Sequence, residues 1–423
     1  MKNRVVITGL GIVSPNGVGL ESFTHSLREG TSGIRVIPEL AALNFSCHLG
    51  AQPIISEDKK REYLSELQLR NFNSSGILYG VMAGIDALND AGIHTAEKDK
   101  EPLWDLGIIF GSGTSGVDKF REAIYKIDDK NVRRLGSTSV MQTMCSGVSA
   151  YLGGIIGAGN IVTSNSSACA TGTEALLMGY DRIANGLATY MLSGSTSDSG
   201  PYIWGGFDAM KVTTYKYNDA PDKVAGPMSE AASGFVPGSG AGAYLLESLE
   251  SATKRGATIY AEVLGGSINN GGQRGEGSMT APNSQAIQKC IQEALRSSKV
   301  SAEEIDYING HLTATIKDPD EIENWSIALK RKGSHFPYIN SVKGMIGHCL
   351  AASGSIEIVS AILQLQHNFI YPNINCEDLH PRIVSLIDAE KIPRKTLNKT
   401  LNTIIKASFG FGDVNACVIF RKI

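Results

Sequence analysis

The chain has no apolar run of the roughly 18 residues that a membrane-crossing helix needs, no Cys-x-x-Cys pair and no low-complexity tract. A helical membrane span is therefore not expected. The N-terminal stretch, Met1–Arg4 followed by Val5-Val6-Ile7-Thr8-Gly9, carries too short an apolar run for a secretory signal and reads as a first strand. The seven cysteines (Cys47, Cys145, Cys169, Cys290, Cys349, Cys376 and Cys417) are odd in number and scattered. That excludes a disulfide framework and fits reduced thiols in apolar surroundings. Charge of one sign is missing too: 39 basic residues face 42 acidic ones, a net charge of −3, which argues against a general nucleic-acid binder. Gly9-Leu10-Gly11 lacks the third glycine of a dinucleotide fingerprint, since Ser14 stands at that position. A cytoplasmic enzyme with no metal is the class these absences leave.

What is present is an alternation of short apolar strands and amphipathic helices. Strands are expected at 5–8, 106–110, 161–166, 190–193 and 242–246, then at 258–264, 305–308, 338–342, 403–407 and 416–420. Helical spacing marks 77–91, 173–184, 283–297, 322–330 and 354–366. This alternation predicts an α/β fold of mainly parallel or mixed sheets covered by helices. The strands form two groups of five about Leu249-Glu250-Ser251, so the expected halves are residues 1–250 and 251–423. No linker is long enough to free one half, and both should share a core.

Three residues stand out chemically. Cys169, in Ile161-Val-Thr-Ser-Asn-Ser-Ser-Ala-Cys169-Ala-Thr-Gly-Thr173, lies between a β-rich run and a helix among small neighbours. A thiol at a helix N-terminus meets unpaired N–H groups and a dipole that favour the thiolate and can hold an oxyanion. His311, in Asn309-Gly-His311-Leu-Thr313-Ala-Thr315, follows a strand. So does His348, in Asn340-Ser-Val-Lys343-Gly-Met-Ile-Gly347-His348, just ahead of a helix carrying Glu357. Together they suit a reaction that needs one nucleophile and two hydrogen-bond donors.

Ser166-Ser-Ala-Cys169-Ala-Thr, Lys343-x4-His348 and Ser408-Phe-Gly-Phe-Gly412 together resemble the elongating β-ketoacyl-acyl carrier protein synthases. Ser146-Gly-Val-Ser-Ala150, Phe207-Asp-Ala-Met210, Lys216-Tyr-Asn-Asp219 and Ile259-Tyr-Ala-Glu262 are most similar to synthase I. The likeness runs in order from Val5 to Phe420. It implies a thiolase-like, five-layered α-β-α-β-α body of two pseudo-symmetric halves, as a homodimer or a heterodimer with a related subunit. It implies decarboxylative Claisen condensation of malonyl-ACP with an acyl-ACP, in fatty acid or type II polyketide or polyene biosynthesis. No cofactor is bound permanently; the carrier protein's phosphopantetheine arm brings the substrate.

By the same resemblance Cys169 takes the acyl group, and the N–H groups of Cys169 and Phe411 form its oxyanion hole. His311 and His348 hold the malonyl thioester carbonyl. Lys343 is the active-site lysine, supported by Glu357; Thr313 and Thr315 hold the pantetheine arm; Phe411 gates the acyl pocket beside Phe409. Arg70, Lys130 and Arg133, extended by Arg134, match basic positions that dock the acidic carrier protein.

The chain departs from the family pattern at Leu312 and Ala314 beside His311, at Asp413 after the gate, and at Ser229, Ala232 and Ser233 in the Met228–Val236 loop. The acidic positions after His311 match as Asp320 and Glu323 only with a one-residue insertion. Leu312 and Asp413 are expected to face the entrance and tune which acyl chains pass. A degradative thiolase needs a second catalytic cysteine, and Cys417 lies outside such a motif. A noncatalytic chain-length partner typically lacks the nucleophile that Cys169 supplies.

Overall fold

The computed structural model describes residues 2–66 and 72–423. Ten strands carry the main sheet: β1 Val5–Ser14, β2 Leu106–Ser112, β3 Val162–Thr163, β4 Tyr190–Ser197, β5 Gly240–Ser248, β6 Ala261–Asn270, β7 Tyr307–Asn309, β8 Tyr338–Asn340, β9 Thr403–Gly410 and β10 Val414–Arg421. An eleventh strand, Gly17–Val18, folds back as a hairpin on β1. The helices that matter here are α1 Ser75–Asp90, α2 Gly147–Ile156, α3 Thr171–Ala184, α4 Ser284–Ser298, α5 Asp318–Leu329 and α6 Ser353–His367. Among the described residues no helix is long and apolar enough to cross a membrane.

The sheet runs β8-β7-β9-β10-β6-β1-β5-β4-β2-β3. Its two halves repeat one pattern. In the first, β2 is parallel to β3 and β4, while β5 is antiparallel to β4 and β1. In the second, β7 is parallel to β8 and β9, while β10 is antiparallel to β9 and β6. They join where Val5–Ile7 of β1 pairs with Ala261–Val263 of β6. No sequence motif marks this repeat; it lies in the strand order.

Helices α3 and α6 pack against each other and against strands of both halves, forming the middle layer. Helices α1 and α2 cover the outer face of the first half, and α4 covers that of the second with α5 packed against it. This is the expected five-layered body. One hydrophobic cluster spans both halves, from Val5 and Leu176 to Ile358, Ile404 and Val418. The outer helix α4 buries only Ile287, Cys290, Ile291, Ala294 and Ser298, one face at helical spacing, and Asn283 caps it by accepting the N–H groups of Gln285 and Ala286. Helix α6, by contrast, is buried from Ser353 through Leu365.

Every expected strand and helix forms, and the differences lie at the ends. Strand β4 extends to Ser197 because its hydroxyls find partners inside the core. Ser195 Oγ donates to Ala351 C=O at 2.7 Å, and Ser197 Oγ donates to Cys349 C=O at 2.8 Å, so β4 holds the entry to α6. Helices α3 and α6 approach backbone to backbone near their N-termini, where each presents a glycine. A Cβ on Gly172 would lie 2.3 Å from Ser355 N, and one on Gly354 would lie 2.8 Å from Thr173 N. Gly172→Ala should therefore cost about 2–3 kcal/mol by overpacking. A urea unfolding midpoint unchanged from wild type would show that this crossing can open freely.

Candidate active site

Chain direction brings three loops to one place. The loop after β3 ends in a tight turn, Ala168–Ala170, that leads into α3 and carries Cys169. Ala168 holds a left-handed φ of 47°, a strained conformation for a residue with a Cβ. Thr171 fixes the turn: its Oγ1 donates to Ala168 C=O at 2.7 Å and accepts the N–H of Ser167 at 2.8 Å. The loop after β7 carries His311, and the loop after β8 carries Lys343 and then His348. Cys169 Sγ and a ring nitrogen of each histidine all lie within 4.8 Å of one another. The three side chains are buried and line a cleft of about 640 Å³ with Thr313, Thr315, Phe235, Phe409 and Phe411.

Each histidine is oriented from behind. The Leu350 N–H donates to His348 Nδ1 at 3.0 Å, and Ser353 Oγ lies 3.0 Å from the same nitrogen. An Nδ1 that accepts carries no proton, so neutral His348 holds its hydrogen on Nε2 and offers it to the cleft. His311 stands edge-on to His348, with ring centroids 5.5 Å apart, and its buried Nδ1 has no hydrogen-bond partner among the described residues. Phe235 packs on His348 at 4.9 Å, and Phe207 joins Phe235 to Phe411 at 5.8 and 6.1 Å. The Phe235 wall was overlooked in the sequence, although Gly234-Phe-Val236 is the part of that loop that keeps the family pattern.

Burial sets the electrostatics. It pushes the Cys169 thiol up to about 11, against the opposing pull of Lys343 and of the N–H groups of Phe411 and Cys169, which face the sulfur. The expected thiolate at the helix N-terminus is thus outweighed by desolvation. Burial likewise drives both imidazoles well below their ordinary range, aided by Lys343 and Lys406. Lys343 donates to Glu357 Oε1 and to His311 C=O, while Lys406 Nζ lies 2.8 Å from Glu357 Oε2.

The acids that hold the His311 loop are Asp318 and Glu321, not Asp320 and Glu323. Glu321 accepts the N–H groups of His311 and Leu312, both at 2.7 Å. Asp318 accepts those of Thr313 at 2.8 Å, Ala314 at 3.1 Å and Met228 at 2.9 Å. Asp320 and Glu323 instead pair with Arg382 near the surface. The family spacing is met here by a loop one residue shorter, not longer. Burial and the nearby Asp318 charge raise Glu321 to about 7.

Leu312 and Asp413 do not face the entrance. Leu312 is wholly buried in the apolar cluster beneath the loop, with Ile308 and Trp325. The Asp413 carboxylate is turned to the 271–283 segment and accepts the N–H groups of Asn283 at 2.9 Å and Gln273 at 3.1 Å. A Cβ on Gly271 would lie 2.0 Å from that carboxylate, so the 271–283 segment is moulded around it. Ala314 and Asp413 hold left-handed φ values of 60° and 64°, the reason glycine suits those two positions in the family pattern. Thr313 and Thr315 stand side by side on the cleft wall, Oγ1 to Oγ1 at 3.0 Å. Lys130, Arg133 and Arg134 are exposed beyond the helix Val117–Asp128, and Arg70 lies outside the described residues.

Comparison with known proteins agrees with this geometry. The family model "Beta-ketoacyl synthase, N-terminal domain" matches residues 2–252, and "Beta-ketoacyl synthase, C-terminal domain" matches residues 260–377. The 3-oxoacyl-[acyl-carrier-protein] synthase 2 of Vibrio harveyi is 32% identical over 426 residues, spanning 100% of this chain and 99% of that protein. Synthase 1 of Escherichia coli K12 is also 32% identical, over 99% of both chains. At this level the likeness does not single out synthase I. Among solved structures, a type II polyketide synthase acyl-carrier protein in complex with its ketosynthase bound to the hexaketide superposes with a TM-score of 0.87 at 26% identity, covering both chains fully.

Two outcomes follow from the site's dryness. Alkylation of Cys169 by iodoacetamide should rise about tenfold per pH unit from about pH 7 to 9, since the thiol titrates above that range. A rate that levels off below pH 8 would show that the thiolate already forms at neutrality. Glu321→Ala strands two buried N–H groups and should cost about 2–3 kcal/mol. It should also displace His311, read as a loss of histidine-dependent chemistry in folded protein.

Proposed function

The chain belongs to the β-ketoacyl synthase family, and on that premise we propose that Cys169, His311 and His348 carry a decarboxylative Claisen condensation of malonyl-ACP with an acyl-ACP. The observation that carries this reading is the convergence of one thiol and two imidazoles in a closed cleft, with two backbone N–H groups on the sulfur. Cys169 attacks the acyl thioester, and the carbonyl oxygen takes its negative charge among the N–H groups of Cys169 and Phe411. The carrier's thiol leaves with the proton that Cys169 gives up. This divides a hard step into two easier ones.

In the second half-reaction His348 Nε2–H and a ring N–H of His311 donate to the malonyl thioester oxygen. The carboxylate leaves as CO2, and its bonding electrons flow to the α-carbon, whose enolate oxygen those donors stabilise. The carbanion attacks the acyl-Cys169 carbonyl, and collapse expels the Cys169 thiolate, which takes up one proton. Lys343, held by Glu357, fixes the His311 backbone from below. Thr313 and Thr315 serve the pantetheine arm in the cleft, and Phe411, backed by Phe207, gates the acyl side.

In this reading the 1–250 half supplies the nucleophile and the 251–423 half both histidines, a division supported by the repeated strand order. Strand β3 is a sheet edge with Ile161 and Val162 exposed, and the helix Val117–Asp128 exposes Phe120, Ile124 and Tyr125. That supports association with a second copy or a related subunit. The exposed Lys130 and Arg133 suit docking of an acidic carrier protein. Seven free cysteines fit work in the cytoplasm. A chain-length partner without chemistry of its own has no use for this cleft.

Incubation with acyl-ACP should add the acyl mass to the Cys169 peptide; labelling of Cys349 or Cys417 instead overturns the assignment. His311→Ala and His348→Ala should each lose malonyl decarboxylation by about a hundredfold or more, while Cys169 still self-acylates. Wild-type CO2 release from either variant would make that histidine structural.

A further inference from the structure

Lys406 lies on β9 with no exposed surface. An ammonium taken out of water costs several kcal/mol unless it is paired. Its Nζ donates to Ser408 Oγ at 3.0 Å and to Ala407 C=O, and it forms an ion pair with Glu357 Oε2 at 2.8 Å. With Glu357 Oε1 already held by Lys343, one buried carboxylate stands between two buried ammoniums. Two cations and one anion leave one positive charge directly beneath the reacting groups.

That surplus is not needed to fix His311, because Lys343 and Glu357 alone do so as a neutral pair. Burial lowers Lys406, and the Glu357 and Glu321 carboxylates oppose that by attracting its ammonium. Asp318 and Glu321 of α5 accept backbone N–H groups of the His311 loop, and burial raises both carboxyls toward their neutral forms, which weakens their hold on the surplus. The remaining titratable neighbours are thiols and phenols whose burial keeps them protonated: Cys169, Cys349, Cys417, Tyr307 and Tyr371. His348 is oriented only while its Nδ1 accepts the Leu350 N–H, so a proton there breaks the bond that aims the ring.

We propose that Lys406 is a positioning residue for the malonyl half-reaction: by taking Glu357 Oε2 it turns the Lys343–Glu357 pair into a net cation that keeps His311 and His348 neutral and aimed. The inference rests on the functional reading above. Both imidazoles do feel Lys406 in the direction required, as they feel Lys343.

The test is the pH profile of kcat/KM for CO2 release from malonyl-CoA, from about pH 5 to 8. Removing a cation raises the imidazole pKa values, so Lys406→Met should lose activity at a higher pH than wild type, by about one pH unit. Alkylation of Cys169 should keep its own pH profile. The double variant Lys406→Met with Glu357→Gln leaves Lys343 as the single charge and should return the acid limb to near its wild-type position. A folded Lys406→Met protein with the wild-type limb overturns the proposal, and so does a double variant whose limb stays with the single variant. Should Lys406→Met fail to fold, the double variant is compared with wild type directly: a matching limb supports the charge role, and a displaced one overturns it. Wild-type protein that releases no CO2 sinks the functional reading itself, whereas a working wild type with an unmoved Lys406→Met limb sinks only this inference.

Discussion

The crossing of α3 and α6 is the contact on which the site depends. Gly172 and Gly354 let two helix backbones touch just inside their N-termini, in the layer between the two halves of the sheet. Whatever immediately precedes those helices is thereby brought together: Cys169 ahead of α3, His348 ahead of α6. A side chain at either glycine would separate the two loops and the reacting atoms with them. Serine hydroxyls of β4 and the Tyr244 hydroxyl, which donates to Gly172 C=O at 2.5 Å, hold the same junction from the sheet side. Polar atoms there are tolerated because they are satisfied.

A centre held between the two halves of the sheet lies away from water, and the dryness decides the charge states. The thiol is driven up and the imidazoles down, so the resting centre is a neutral acceptor surrounded by neutral donors. Charge enters only where it is held on several sides. Glu357 binds two lysines, Asp318 three backbone N–H groups, and Glu321 two more besides the Trp325 indole at 3.2 Å. These buried carboxylates stiffen the loops that carry His311 and His348, an arrangement that costs desolvation and gains geometry.

Much of this was legible in the chain itself. The ten strands and the helices follow from apolar spacing, and the Cys-His-His set follows from its place at strand ends. The errors share one cause. Proximity in sequence to His311 and Phe411 suggests that Leu312 and Asp413 face the entrance, but Leu312 turns into the core beneath the loop, and Asp413, at a left-handed φ of 64° in a turn, aims its carboxylate at the 271–283 segment. Counting along a motif picks out Asp320 and Glu323, whereas what selects the acid is which carboxylate reaches the loop's N–H groups, and those are Asp318 and Glu321. Lys406 drew no attention, since a lysine in a strand ordinarily faces water.

By itself, then, the sequence determined the α/β alternation, the two groups of strands, and the residue types that could act as nucleophile and donors. These are properties of local spacing, and they survive without knowledge of the partner across the fold. The tertiary structure decided which carboxylate holds which loop, that the thiol is protonated at rest, and that one glutamate serves two lysines. Each of those depends on atoms far apart in the chain (Lys406 and Glu357, Gly172 and Ser355) meeting where water is excluded, and burial is set by the whole packed body rather than by any segment of it.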